Sequence, residues 1–211
     1  SMAYNINRKK PDLQFYEMGR IYSKLSDDKE KAVTKQYAEQ ETLAIALCGN
    51  TSPENWKNNE EKAGYYHLKS VLEYLFARTG LKNEIKLNEN YSKLFSYGFS
   101  YTWNEQSIAE IGLINPAIAL GSEVEIPVFY AEINMDLFRR VFGKMKTRFT
   151  EIPKFPEVRR DLSVLIPKEV KFADLEQTAH KADKKLLKSV NLFDVYTDDK
   201  MGTDKKSYAL S

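Results

Sequence analysis

Residues 162–211 read LSVLIPKEVKFADLEQTAHKADKKLLKSVNLFDVYTDDKMGTDKKSYALS, and the order of elements in this stretch decides the fold of its part of the chain. LSVLIP is an apolar run closed by Pro167, which marks a strand. FADLEQTAHKADKKLLKSV follows with Phe172, Leu175, Ala179, Ala182 and Leu186 on one helical face. NLFDVYT and KSYALS are two further strands, joined by a turn around DDKMGTDK that is rich in Asp, Lys and Gly.

Strand, helix, strand, strand are the first four elements of a ferredoxin-like βαββαβ unit. Such a sheet needs a second helix over its face and a fourth strand, both expected after Ser211. Upstream, GKMKTRFTEIPKFPEV carries two prolines and no periodicity, so a domain boundary is expected near residue 150. That gives a domain at 1–150 and a partial ferredoxin-like domain at 151–211.

The first domain alternates differently. PDLQFYEMGRIYSK places Phe15, Glu17, Gly19 and Ile21 on one face and Tyr16, Met18, Arg20 and Tyr22 on the other. Apolar residues on both faces predict a largely covered strand. ETLAIALCGN is a second strand ending in a Gly-Asn turn, and SPENWKNNEEKAG is a loop with Trp56 as its anchor. GYYHLKSVLEYLFARTG is the clearest helix, with Leu68, Val71, Leu72, Leu75 and Phe76 at three- and four-residue spacing and Gly80 at its end. FSYGFSYTW, SIAEIGLINP and VFYAEINMDLF are strands at short intervals, which argues for antiparallel pairing. A helix through DLFRRVF, opened by Asn134 to Asp136 and ended by Gly143, completes an α+β architecture with a sheet of about five or six strands.

Composition bounds the function. In 211 residues the hydrophobic share of 42% and charged share of 29% describe an ordinary globular protein. No apolar run approaches the ~20 residues that span a bilayer, and SMAYNINRKKP lacks an apolar signal core. Ser1 before Met2 reads as a residue left by tag cleavage. One cysteine, Cys48 in TLAIALCGN, reads as a buried hydrophobe, and with only His67 and His180 it supplies no zinc set. The charge is uneven. Arg139, Arg140, Lys144, Lys146, Arg148, Lys154, Arg159 and Arg160 stand against Glu151 and Glu157, a local +6 in a chain of net +2. A basic stretch of this kind marks either a polyanion contact or a solvated linker and helix end.

FPEVRRDLSVLI, LFDVY and GTDKKSYALS, in this order and spacing, resemble the ferredoxin-fold anticodon-binding domain of phenylalanine–tRNA ligases. NRKKPDLQFYEMGRIY, YYHLKSVLEYLF, AEIGLINP and PVFYAEINMDLF are similar, in order, to the preceding region of the beta subunit of the bacterial-type enzyme. The resemblance implies a degenerate, antiparallel class II synthetase core-like domain followed by a truncated anticodon-binding domain, together a C-terminal fragment of that subunit. It also implies an alpha-subunit partner in an α2β2 assembly, phenylalanine-specific tRNA as ligand, a cytoplasmic setting, and ATP and magnesium in the complete enzyme. Class II activation needs a Gly-rich segment of the form G-x-G-x-x-R, where backbone approaches the nucleotide. The nine glycines here stand singly. No catalytic, cofactor or metal residue is therefore expected in this chain.

The resemblance also implies a tRNA-binding set. Single-stranded loops are recognised by aromatic stacking and edge contacts, with cations on phosphates. Phe155 and Tyr196 are the stacking candidates, although Phe155 after Pro153 also suits a linker anchor. Lys154, Arg159 and Arg160 precede the first strand. Lys205 and Lys206 border the turn, and KADKKLLK reads as a solvated helix face. Tyr97, Tyr101 and Trp103 suit either a subunit interface or this domain's own core. Two other readings stay open: a single-chain organellar-type phenylalanine–tRNA ligase with an active core, and a stand-alone binding module.

Overall fold

The computed structural model describes residues 2–25, 36–53, 55–56, 60–144, 149, 151, 154–183, 185–198, 202 and 204–211. The chain divides into two compact units, Ser1–Arg148 and Phe149–Ser211.

In the first unit, a short helix α1 (Met2–Ile6) precedes β1 (Leu13–Lys24) and β2 (Tyr37–Cys48). A small ribbon of β3 (Asn50–Ser52) and β4 (Glu61–Lys62) leads into helix α2 (Tyr65–Arg78). Then come β5 (Lys86–Asn90), β6 (Phe95–Trp103), β7 (Gln106–Ile114), α3 (Pro116–Gly121), β8 (Val128–Asn134) and α4 (Met135–Phe142). Six strands form one antiparallel sheet in the order β1-β2-β8-β7-β6-β5.

Helices α2 and α4 cover one face. Leu68, Leu72 and Phe76 of α2 and Leu137, Phe138 and Val141 of α4 pack on Leu47, Tyr101, Ile111, Ala131 and Ile133. Both helices are delimited by local chemistry. The Gly64 N–H donates to Nδ1 of His67 at 3.1 Å, while Nε2 of the same ring lies 3.2 Å from Glu61. The Asn134 side chain accepts from the Leu137 N–H at 2.9 Å, which caps α4. Gly80, at φ +75, takes the left-handed turn that ends α2. On the opposite face, α1 and α3 close only one end of the sheet, around Leu13, Cys48, Val124 and Val128. Cys48 is buried and its thiol donates to the Pro11 carbonyl at 3.2 Å; burial pushes its pKa up.

Two expectations need correction, one open alternative is resolved for two residues, and one strand is new. β1 stands at the sheet edge, and every residue after Leu13 is exposed, because no described strand or helix lies beyond it. Trp56 is 96% exposed and anchors nothing among the described residues. Tyr101 belongs to the core, and Trp103 packs half-buried against it with the Lys144 ammonium 4.8 Å above the ring. β5 escaped the sequence reading because KLNEN has no apolar alternation.

In the second unit, β9 (Leu162–Pro167), α5 (Phe172–Ala182), β10 (Leu192–Tyr196) and β11 (Lys205–Leu210) follow in the expected order. The three strands pair antiparallel as β10-β11-β9. Helix α5 is shorter than its periodicity predicts. Asp183 turns to extended backbone and its Oδ1 accepts the N–H groups of Lys185 and Leu186 at 2.8 and 2.9 Å. That side-chain capture competes with continued helix, and it leaves Leu186 82% exposed rather than on the packed face.

Candidate nucleic-acid interface

The second sheet has two unlike faces, and the register assigns each side chain to one of them. Tyr208 lies opposite Val164 and Val195, Lys206 opposite Ile166, and Leu210 opposite Leu162 and Leu192. Directly opposed residues share a face and neighbours along a strand alternate. The ring of Phe172 on α5 meets Tyr208 edge-on at 6.5 Å, so this is the helix-covered face.

The open face carries Ser163 and Leu165 of β9, Lys205, Ser207 and Ala209 of β11, and Asp194 and Tyr196 of β10. Tyr196 is directly opposite Ser207, whose hydroxyl lies 3.1 Å from that of Ser163. The Tyr196 hydroxyl donates to Asp198 at 2.6 Å, and this bond holds its proton on to higher pH than usual. The ring is half exposed, and Leu165 beside this row is also exposed. An aromatic face, a cation and several hydrogen-bonding groups on one open sheet suit unstacked bases with a phosphate alongside.

The expected residues do not all gather there. Tyr196 and Lys205 share the open face. Lys206 points to the other side, where its Nζ donates to the Lys168 carbonyl at 2.8 Å and lies 4.7 Å from the Tyr208 ring centroid. Arg159 precedes β9, at the opposite end of the strands from Lys205. Its Nε is 3.0 Å from Asp161 and its guanidinium 5.7 Å from the Phe193 ring centroid. Arg160 and Lys154 are exposed, and Phe155 is 84% exposed, so it anchors no linker among the described residues. Pro153 lies outside those residues.

Part of the basic stretch is already neutralised. Arg139 lies 2.6 Å from Glu41 and 3.1 Å from Asp136, and both carboxylates raise its pKa. Lys146 and Arg148 lie outside the described residues. Asp194, Ser163 and Ser207 were missed by the sequence reading. The period-2 alternation of LFDVY and KKSYAL was the signal that places them with Tyr196 and Lys205.

Among the described residues, no group of His, Cys, Asp and Glu is arranged to hold a metal ion. Among them too, no helix is long and apolar enough to cross a membrane.

Residues 1–135 match the family model described as phenylalanyl tRNA synthetase beta chain CLM domain, and residues 153–211 match the ferredoxin-fold anticodon binding domain. The phenylalanine–tRNA ligase beta subunit of Bacteroides fragilis is 34% identical over 215 residues, covering 100% of this chain and 26% of that protein. The beta subunit of Porphyromonas gingivalis is 32% identical with the same coverage. That of Listeria monocytogenes is 29% identical, covering 99% and 25%. The chain thus spans about a quarter of the length of the curated relatives it matches. Among solved structures, pyrrolysyl-tRNA synthetase from Desulfitobacterium hafniense superposes with a TM-score of 0.46 at 12% identity, over 67% of this chain and 47% of that one.

Proposed function

Since the chain belongs to the phenylalanyl-tRNA synthetase beta-chain family, we propose that it serves ATP-dependent attachment of phenylalanine to tRNA without carrying the chemistry itself. Residues 151–211 hold the anticodon region of phenylalanine-specific tRNA. Residues 1–150 pack against an alpha subunit in an α2β2 assembly, which works in the cytoplasm. The observation that carries this reading is the open face of the second sheet, in a segment that matches an anticodon-binding domain. There Tyr196 stacks on a base, Asp194 and Ser207 meet base edges, and Lys205 holds a phosphate. Arg159, Arg160, Lys154 and Phe155 extend the contact along the RNA, whereas Lys206 serves the packing of its own unit.

ATP and magnesium act in the complete enzyme, and the residues of the first unit do not fit a nucleotide. Triphosphate recognition needs cations and close backbone approach. The face of the six-stranded sheet away from α2 instead places Glu110 directly opposite Glu132, with Glu17 in the same row across Ala44. The Tyr130 hydroxyl donates to Glu132 at 3.0 Å, and among the described residues no cation pairs with either Glu110 or Glu132. The Phe95 ring lies over Gly98 and Gly112 on this face and fills the backbone floor they would leave. No step of the reaction is assigned to this chain.

Titration of the chain with phenylalanine-specific tRNA at two salt concentrations tests the reading. Binding should weaken with salt, with a logarithmic slope of about 0.7 to 0.9 for each phosphate neutralised. Absence of binding, or binding indifferent to salt, would overturn the RNA-contact role. Phenylalanine-dependent pyrophosphate exchange by the chain alone would overturn the non-catalytic one.

A further inference from the structure

A half-exposed tyrosine ring ordinarily turns between rotamers, and a ring that must stack on a base loses affinity to that motion. Tyr196 is half exposed on the open face of the second sheet, yet its ring is tethered. Its hydroxyl donates to a carboxylate oxygen of Asp198 at 2.6 Å, the length of a charge-assisted bond. Asp198 stands two residues past Tyr196, where β10 has ended, so the tether is local to this strand.

Asp194 is also two residues from Tyr196, in the other direction along β10, and shares its face. The phenol bonds Asp198 instead, so the ring leans along the strand toward the hairpin end, where Lys205 stands two residues before Ser207. Among the described residues, Asp194 and Lys205 are the other charged groups on that face. The bond also settles the polarity of the hydroxyl. It has one proton, and an ionised carboxylate can only accept it. With the proton committed to Asp198, the phenol oxygen has only lone pairs to offer a ligand.

We propose that Asp198 is a positioning residue for the anticodon site. It holds the Tyr196 ring in the pose that stacks on a base, and it makes the phenol oxygen an acceptor toward the RNA. The proposal rests on the RNA-binding reading of this face. The RNA groups that can meet such an oxygen are donors: an exocyclic amino group, a ring N–H or a ribose 2′-hydroxyl. A phosphate oxygen finds no donor there and is left to Lys205. A carboxylate beside an RNA site repels phosphate, and the ordering of the ring offsets that repulsion.

The test compares two neutral substitutions. Asp198→Asn keeps an acceptor for the phenol and Asp198→Ala does not, while both remove the same charge. Phenylalanine-specific tRNA is titrated into the chain carrying each variant, alone and combined with Tyr196→Phe, and into Tyr196→Ala, with folding followed by circular dichroism. Asp198→Asn should bind about two- to tenfold more tightly than Asp198→Ala, the cost of ordering one side chain. Combined with Tyr196→Phe, which has no hydroxyl to hold, the two should bind alike. A second readout needs no RNA. In NMR spectra of chain labelled at tyrosine Cζ, the Tyr196 signal, identified by its loss in Tyr196→Phe, should titrate at lower pH in Asp198→Ala than in the parent. An unmoved titration would overturn the tether. So would equal binding by the Asn and Ala variants while Tyr196→Ala weakens binding, a result that leaves the RNA-binding reading standing. Unchanged binding by Tyr196→Ala would overturn both.

Discussion

The Arg139 guanidinium on α4 lies 2.6 Å from the Glu41 carboxylate on β2 and ties the helix to the sheet. Asp136, in the first turn of α4, accepts the Glu41 N–H at 2.9 Å and also holds Arg139. The Arg139 hydrogen bond lowers the pKa of Glu41, and the Glu41 N–H lowers that of Asp136. Depressed carboxylate pKa values contribute stability above the unfolded values, near 4, and that stability is lost as pH falls through the folded ones. Arg139→Gln should therefore melt below the parent at neutral pH, and the gap should close below about pH 4. A gap that widens in acid would contradict this network.

Gly112 is required by what lies on it. A Cβ there would meet the Tyr97 carbonyl and come within 2.7 Å of the Phe95 ring. Backbone cannot yield as a flexible side chain can. Gly112→Ala should destabilise the first unit by about 1–3 kcal/mol, as overpacking does. Chemical denaturation checks it, and an unchanged midpoint would contradict the close approach of the Tyr97 backbone to Gly112.

Tyr101 offers the opposite case. Its ring packs 5.0 Å from Phe76, while its hydroxyl is buried with no hydrogen-bond partner among the described residues, and burial raises its pKa. Removing a buried, unsatisfied group relieves a desolvation cost. Tyr101→Phe should leave stability unchanged or raise it by up to about 1 kcal/mol. A clear loss in thermal or denaturant melting would reveal a partner for the hydroxyl.

Glu110 and Glu132, directly opposed on β7 and β8, repel one another. Glu110→Gln should stabilise the chain by about 0.2–1 kcal/mol at neutral pH. A neutral-pH loss of stability would show that the pair is compensated.

Much of this was legible in the residues. The apolar stripe Leu68, Leu72 and Phe76, and the alternation of the long strands, encode core contacts that lie within a few residues of one another. What the sequence hid depends on neighbours remote along the chain. Tyr16 and Tyr101 are both tyrosines in apolar strands, yet one sits at an edge and the other beneath α2. Asp183 shortens α5 through its side-chain bonds to Lys185 and Leu186, against a periodicity that runs on to residue 186. In the candidate site, Tyr196 and Lys205 were legible as types, but only the strand register separates Lys205 from Lys206.

That separation allows the most direct test of the central claim, that the open face of the second sheet binds tRNA. The affinity of phenylalanine-specific tRNA is measured for the parent, Tyr196→Ala, Lys205→Ala and Lys206→Met, with folding followed by circular dichroism. Loss of one stacking contact costs about 1–3 kcal/mol, so Tyr196→Ala should weaken binding by roughly five- to hundredfold. Lys205→Ala should weaken it and flatten the salt dependence by about one phosphate. Lys206→Met should bind as the parent does, with its cost appearing in thermal stability. If Lys206→Met weakens binding as much as Lys205→Ala, or Tyr196→Ala binds unchanged, the RNA does not lie on this face.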